Sequence, residues 1–153
     1  MRRNILQLLK WINFYAPFLG MNIRVVYKSP DLRTIRVQSK LNWRNLNAVG
    51  THFGGTLYAM CDPWFMLILM HALGEDYIVW DKSASIRFVR PGRGNVTATF
   101  CITQEQVDAI RARVDAGEKI EPMFSVDVMD EHNQVVAHVD KLLYVRKKTT
   151  PSS

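Results

Sequence analysis

One acidic side chain stands in the middle of the most apolar stretch of this chain. Asp62 lies within Phe53 to Leu73, flanked by Met60, Cys61, Pro63 and Trp64. Burying an unpaired charge is costly, so an aspartate at this point requires either a partner or a function. Pro63 lacks the amide that would bond the carbonyl of Ala59, and a helix running through here should kink or loosen beside Asp62. Cys61 is the neighbouring candidate nucleophile, but no histidine is placed by the sequence to activate it. His71, His132 and His138 fall at a helix end, a turn and a strand, and no metal-ligand spacing links them. The carboxylate is therefore the group around which chemistry would have to be built.

The chain that must position it has 153 residues, 48% of them hydrophobic, enough for a proper core and too few for two comfortable domains. One domain over residues 1–148 is expected. Twenty Lys and Arg against fourteen acidic residues give a net charge of +6, which favours anionic partners. The charges are scattered, apart from the run Arg146-Lys147-Lys148. With residues 149–153 behind it, that run reads as a solvated, disordered tail. No RNA-binding aromatic signature or zinc spacing accompanies the charge, so nucleic acid is not an expected partner. Cys61 and Cys101 both sit in apolar stretches, as reduced core thiols do, which fits a cytoplasmic protein.

Residues 1–20 resemble a signal peptide only superficially. Gln7, Lys10 and Asn13 interrupt the apolar run, and no small-residue cleavage site follows. Ile5, Leu8, Leu9 and Ile12 lie at helical spacing, so the segment reads as an amphipathic helix ended by Pro17 and Gly20. Docking onto the body of the protein is its ordinary role. Peripheral contact with a membrane interface is the alternative, supported by the basic residues and Trp11.

Alternation then predicts a hairpin, Ile23 to Tyr27 and Ile35 to Ser39, around the turn Ser29-Pro30-Asp31. Asn42 to Thr51 is a polar loop. Residues 53–73 are apolar almost all round and predict one long helix. Its length nearly suits a membrane span, but Asp62 and Pro63 at its middle favour a core helix wrapped by sheet. Two strands follow, Tyr77 to Arg90 and Asn95 to Thr103, joined by Pro91-Gly92-Arg93-Gly94. Thr103 and Gln106 form a capping box for a polar helix to about Ala116, and two more strands, around Phe124 to Val128 and Val135 to Val145, close the sheet. Short turns between consecutive strands favour antiparallel pairing. The expected class is α+β: an antiparallel sheet wrapped around one long buried helix, with an extra N-terminal helix and a helix inserted between strands.

The stretch Asn47-Ala48-Val49-Gly50-Thr51-His52-Phe53-Gly54-Gly55, with Asp62 seven residues after the second glycine, resembles the active-site segment of hot-dog-fold thioesterases of the phenylacetate-degradation type. The runs Val49 to Gly55, Tyr77 to Lys82 and Arg87 to Gly94 look like an uncharacterised bacterial branch of that superfamily, described as tetrameric acyl-CoA thioesterase-like. The likeness spans about Leu8 to Lys148. It implies hydrolysis of an acyl-CoA thioester to free acid and CoA, with no cofactor beyond the CoA of the substrate.

The resemblance also implies site residues. Asn47 matches an asparagine that helps place the thioester or the attacking water, and Asp62 matches a helix carboxylate acting as general base or nucleophile. Gly54 and Gly55 would let a carbonyl approach the backbone, where the helix N-terminal amides, that of Gly55 above all, can stabilise an oxyanion. Asp62 lies about 10 Å further along the helix axis. Relatives close that gap by pairing subunits, so a homodimer or a dimer of dimers is implied. Most relatives carry His-Gly-Gly where this chain has Phe53-Gly54-Gly55, with the histidine displaced to His52. His52 and Phe53 are candidate substrate contacts. So is Asp81, which period two sets opposite Trp80, Ala84, Ile86 and Phe88. Arg90 and Arg93, flanking Pro91-Gly92, are candidates for the CoA phosphates. No metal ligand is expected. Two other readings are an acyl-CoA or lipid-binding protein without catalysis and an enoyl-CoA hydratase or dehydratase using His52 with Asp62.

Overall fold

In the computed structural model, which describes residues 5–148, every strand pair is antiparallel and the six strands form one sheet of order β1-β2-β4-β5-β6-β3. The strands are β1 (Ile23–Lys28), β2 (Thr34–Lys40), β3 (Tyr77–Phe88), β4 (Asn95–Cys101), β5 (Met123–Met129) and β6 (Val135–Lys147). Their apolar positions alternate as the sequence predicts, and the inward set buries Ile35, Val37, Val96, Phe100, Val126 and Val139 on one face. The expected tail at 149–153 and the first four residues of the expected N-terminal helix lie outside the described residues.

The apolar stretch 53–73 fills that concave face, but as two helices rather than one. α3 (Gly54–Ala59) and α4 (Trp64–Leu73) are separated at Met60-Cys61-Asp62-Pro63. Pro63 cannot donate to Ala59, whose carbonyl instead meets the Asp62 amide at 3.5 Å, one residue early. The Met60 carbonyl takes the Trp64 indole N–H at 2.7 Å. The kink expected beside Asp62 is thus a full break, and it turns Asp62 outward. Gly54–Leu73 is long and apolar enough to cross a membrane, yet Leu57, Met60, Trp64, Phe65, Ile68 and Leu69 are buried against the sheet. Phe65 is wedged edge-on to Phe100 at 5.2 Å and stacked on Phe124 at 5.1 Å. Burying each such side chain is worth about 1.5–3 kcal/mol.

The N-terminal segment is also broken. α1 (Ile5–Trp11) passes through a 3-10 turn (Ile12–Phe14) to α2 (Ala16–Gly20). Pro17 fits only the first turn of a helix, so a single helix over 1–20 cannot run through it. Leu9, Ile12 and Phe18 dock the segment onto the core, Phe18 against Trp64 at 5.8 Å. α5 (Gln104–Asp115) has the predicted capping box, with reciprocal Thr103 and Gln106 bonds of 3.2 and 2.9 Å. From it, Arg111 donates to the last carbonyls of α4, those of Ala72 and Leu73, at 2.7 and 3.1 Å.

β3 forms one edge of the sheet and carries a bulge. Asp81 pairs with Leu143 but Ser83 pairs with Leu142, leaving Lys82 as the extra residue. Trp80 faces away from Asp81, as period two requires, and its ring stacks on Tyr144 at 4.5 Å. Beyond the bulge the alternation is reset. Ala84, Ile86 and Phe88, paired with Lys141, Val139 and Ala137, share the face of Asp81 instead of opposing it. Cys101 is also unlike its expectation, being exposed at the end of β4, whereas Cys61 is fully buried.

Candidate functional site

The candidate residues fall into two groups. The first surrounds the loop 42–53 and the start of α3. Asn47 organises that loop: its Oδ1 accepts from the amides of Val49 and Thr51 at 3.1 and 3.0 Å, and its Nδ2 donates to Thr51 Oγ1 and the His52 carbonyl at 2.9 and 3.2 Å. With both ends engaged, Asn47 holds its neighbours in place. His52 pairs backbone to backbone with Gly92, and its Nε2 donates to the Gly94 carbonyl at 3.1 Å. That bond leaves the buried Nδ1 as a lone pair without a partner among the described residues. Burial holds the imidazole below its usual pKa, against the weaker pull of the Gly94 carbonyl, so the ring is neutral at pH 7.

Asn47, His52, Gly54, Phe88, Arg90 and Arg93 line a groove of about 630 Å³. The two glycines make room for aromatic rings. A Cβ on Gly54 would meet the Phe88 ring at 2.9 Å, and one on Gly55 would meet the Phe53 ring at 2.3 Å. Phe53, at the N-cap of α3, supplies no side-chain oxygen to the first-turn amides. Of the two arginines, Arg90 is engaged by the Gln134 side-chain carbonyl, while no hydrogen bond to Arg93 is formed among the described residues.

The second group lies at the break between α3 and α4. Asp62 is not buried: its side chain is 52% exposed. Its Oδ1 accepts from Tyr58 Oη at 3.0 Å and from Lys141 Nζ at 3.1 Å, and no partner among the described residues takes Oδ2. The buried charge is Lys141, on the inward face of β6, with a side chain 1% exposed. Its Nζ also meets Asp81 Oδ2 at 3.2 Å and sits 5.5 Å over the Tyr58 ring. Burial pushes the ammonium down, but the Asp62 bond and the fields of Asp81 and Asp62 outweigh it and hold the lysine above its usual pKa. Asp81 is shifted up, chiefly by burial, although Lys141 opposes this, and its buried Oδ1 has no hydrogen-bond partner among the described residues. Two carboxylates around one ammonium leave the cluster with an excess negative charge.

Lys141 is the residue that sequence reasoning missed. The signal was present: Val139, Lys141, Leu143 and Val145 alternate along one strand, so Lys141 occupies a core position. Cys61 beside Asp62 is inert, its thiol pushed up to about 12 by burial. The dehydratase reading required His52 and Asp62 to pair, and within one chain they do not: His52 bonds Gly94, and Asp62 bonds Tyr58 and Lys141. Trp64, close to Asp62 in sequence, is a core side chain with no exposure.

Elsewhere, His138 on the outer sheet face bridges Asp127 (Nδ1, 2.6 Å) and Asp140 (Nε2, 3.2 Å). The Asp127 bond is the main cause of its raised pKa. A raised folded pKa stabilises the fold fully below the unfolded value, about 6.5, and the contribution disappears as pH rises through the folded value. Melting temperatures of the wild type and His138→Gln should therefore differ most near pH 6 and converge in mild alkali. Among the described residues no group of three His, Cys, Asp or Glu side chains is arranged to hold a metal ion.

Set against known proteins, residues 6–145 match a family described as Domain of unknown function (DUF4442). No curated protein matches the chain. Solved structures do. A probable thioesterase of unknown function from Pseudomonas aeruginosa is 18% identical with a TM-score of 0.80, covering 97% of this chain and 99% of that one. A thioesterase from Haemophilus influenzae is 16% identical with a TM-score of 0.70, covering 99% and 97%. The Escherichia coli PaaI protein from the phenylacetic acid degradation operon is 15% identical with a TM-score of 0.63, covering 95% and 94%.

Proposed function

Since the chain belongs to the DUF4442 family and has the hot-dog fold of these thioesterases, we propose that it hydrolyses acyl-CoA thioesters, with Asp62 as general base. The observation that carries this reading is the state of Asp62. One carboxylate oxygen is fixed by Lys141 and Tyr58, and the other takes no bond from the described residues, on a half-exposed side chain. An oriented carboxylate with a free oxygen can take a proton from water while the water oxygen adds to the thioester carbonyl. Collapse of the tetrahedral intermediate breaks the carbon–sulfur bond, and the departing thiolate recovers the proton. The products are the free acid and CoA.

The groove lined by Gly54, at the start of the helix that continues through Gly55, supplies the other half. The Gly55 amide is the proposed oxyanion donor and Arg93 the better placed cation for the CoA phosphates, since Arg90 already has a partner. In one chain no carboxylate of the described residues lines the groove, Asp62 included. A homodimer in which the groove of one copy meets the Asp62 cluster of the other resolves this, and the unpaired edge of β3 offers a strand for such pairing. Release of free thiol from a panel of aliphatic and aromatic acyl-CoAs tests the reading. Turnover of at least one substrate is expected. Tight acyl-CoA binding with no thiol released across the panel would replace hydrolysis by a carrier role.

A further inference from the structure

The charge of this chain is unevenly divided. Residues 1–61 carry nine Lys and Arg and a single acid, Asp31, whereas residues 62–153 carry eleven cations and thirteen acids. Residues 1–61 are thus +8 and the remainder −2. An asymmetry of this size directs the positive part of the chain toward an anionic partner.

The same part displays aromatic surface. While Leu9, Ile12 and Phe18 anchor the N-terminal segment, Trp11 and Phe14 are each 67% exposed, and Tyr15 and Leu19 are exposed as well. The Trp11 and Phe14 rings touch at 5.8 Å and, with Tyr15, line an open groove of about 440 Å³. Lys10 projects from the same helix. The adjoining loop is tied to the end of α2 by bonds from Asn45 to the Met21 carbonyl and from Asn22 to the Lys40 carbonyl, both 2.9 Å. It exposes Trp43 and lays Arg44 over the Trp43 ring at 5.7 Å.

Apolar rings bordered by cations fit a boundary where hydrocarbon meets negative charge. A second copy of this face would bring the same cations, Lys10 and Arg44, toward it again, and a nucleic acid would leave the Trp11–Phe14 surface in water. We propose that the N-terminal segment seats the protein on an anionic lipid surface, with Trp11, Phe14, Tyr15 and Leu19 at the boundary between headgroups and acyl chains. This goes beyond the hydrolytic reading and stands without it.

Flotation of the full chain with vesicles tests the proposal. Phosphatidylcholine vesicles containing about 30% phosphatidylglycerol should bind at least about tenfold more strongly than phosphatidylcholine alone. Binding should weaken as salt rises from about 0.1 to 0.5 M. Trp11→Ser/Phe14→Ser, both at exposed positions, should bind the anionic vesicles about tenfold less with an unchanged melting temperature. Equal affinity for neutral and anionic vesicles, no binding at all, or undiminished binding by the double variant would each overturn it. A smaller assembly for the double variant by light scattering, with no vesicle binding by the wild type, would assign the face to a second copy instead.

Discussion

Replacing Asp62 by asparagine is expected to lower kcat on acyl-CoA by about 10²–10⁴-fold, the range that loss of a positioned general base removes. The substitution keeps the shape of the side chain, and an amide oxygen can still accept from Lys141 Nζ and Tyr58 Oη, which now hold Oδ1 at 3.1 and 3.0 Å. Since the side chain is half exposed, little stability should be lost. What disappears is basicity at the free oxygen. The fall should therefore lie in kcat and kcat/KM together, with the melting temperature nearly unchanged. A loss of less than tenfold in an active preparation would remove Asp62 from the reaction.

Lys141→Met should act in the opposite way, on stability first. Methionine matches the volume of the lysine stem but leaves Asp81, already pushed up by burial and with one oxygen unpartnered, without its ammonium. Breaking a buried pair in this way costs about 3–5 kcal/mol, which for a chain of this size is a drop of about 10 °C in melting temperature. The pH dependence has a definite sign. An aspartate whose folded pKa is raised binds its proton more tightly in the fold than in the unfolded chain, so stability falls as pH rises through the folded value. The variant should be most impaired near neutrality and recover toward acid. Urea denaturation at two pH values measures this. Adding Asp81→Asn removes the stranded charge and should restore most of the loss; if it restores none, the loss does not come from Asp81.

The elements were legible because their signals are local. Alternation gave the strands, Thr103 with Gln106 gave the start of α5, and Pro63 gave the interruption beside Asp62. The site was legible only in part. Asn47, His52 and Gly54 share one groove with Arg90 and Arg93, and nearness in sequence made that foreseeable only within each of these two groups. The partner of Asp62 lies seventy-nine residues away on β6, and only the three-dimensional pairing of strand and helix break brings Lys141 to it. Asp81 was assigned to the wrong set of neighbours because the rule of two fails where one extra residue enters the strand, and nothing in Asp81-Lys82-Ser83 marks that insertion.

The bulge at Lys82 bears on solubility. A twelve-residue edge strand with Trp80 and Phe88 exposed is a template on which stray extended chains can stack, the first step toward insoluble aggregates. The dislocation divides that template into the stretches 77–81 and 83–88, with the Lys82 charge at the joint. Neither stretch offers a long uninterrupted ladder to an indiscriminate chain. A partner of fixed register can still use the edge, so the irregularity that carries Asp81 and Phe88 to one face also guards the open side of the sheet.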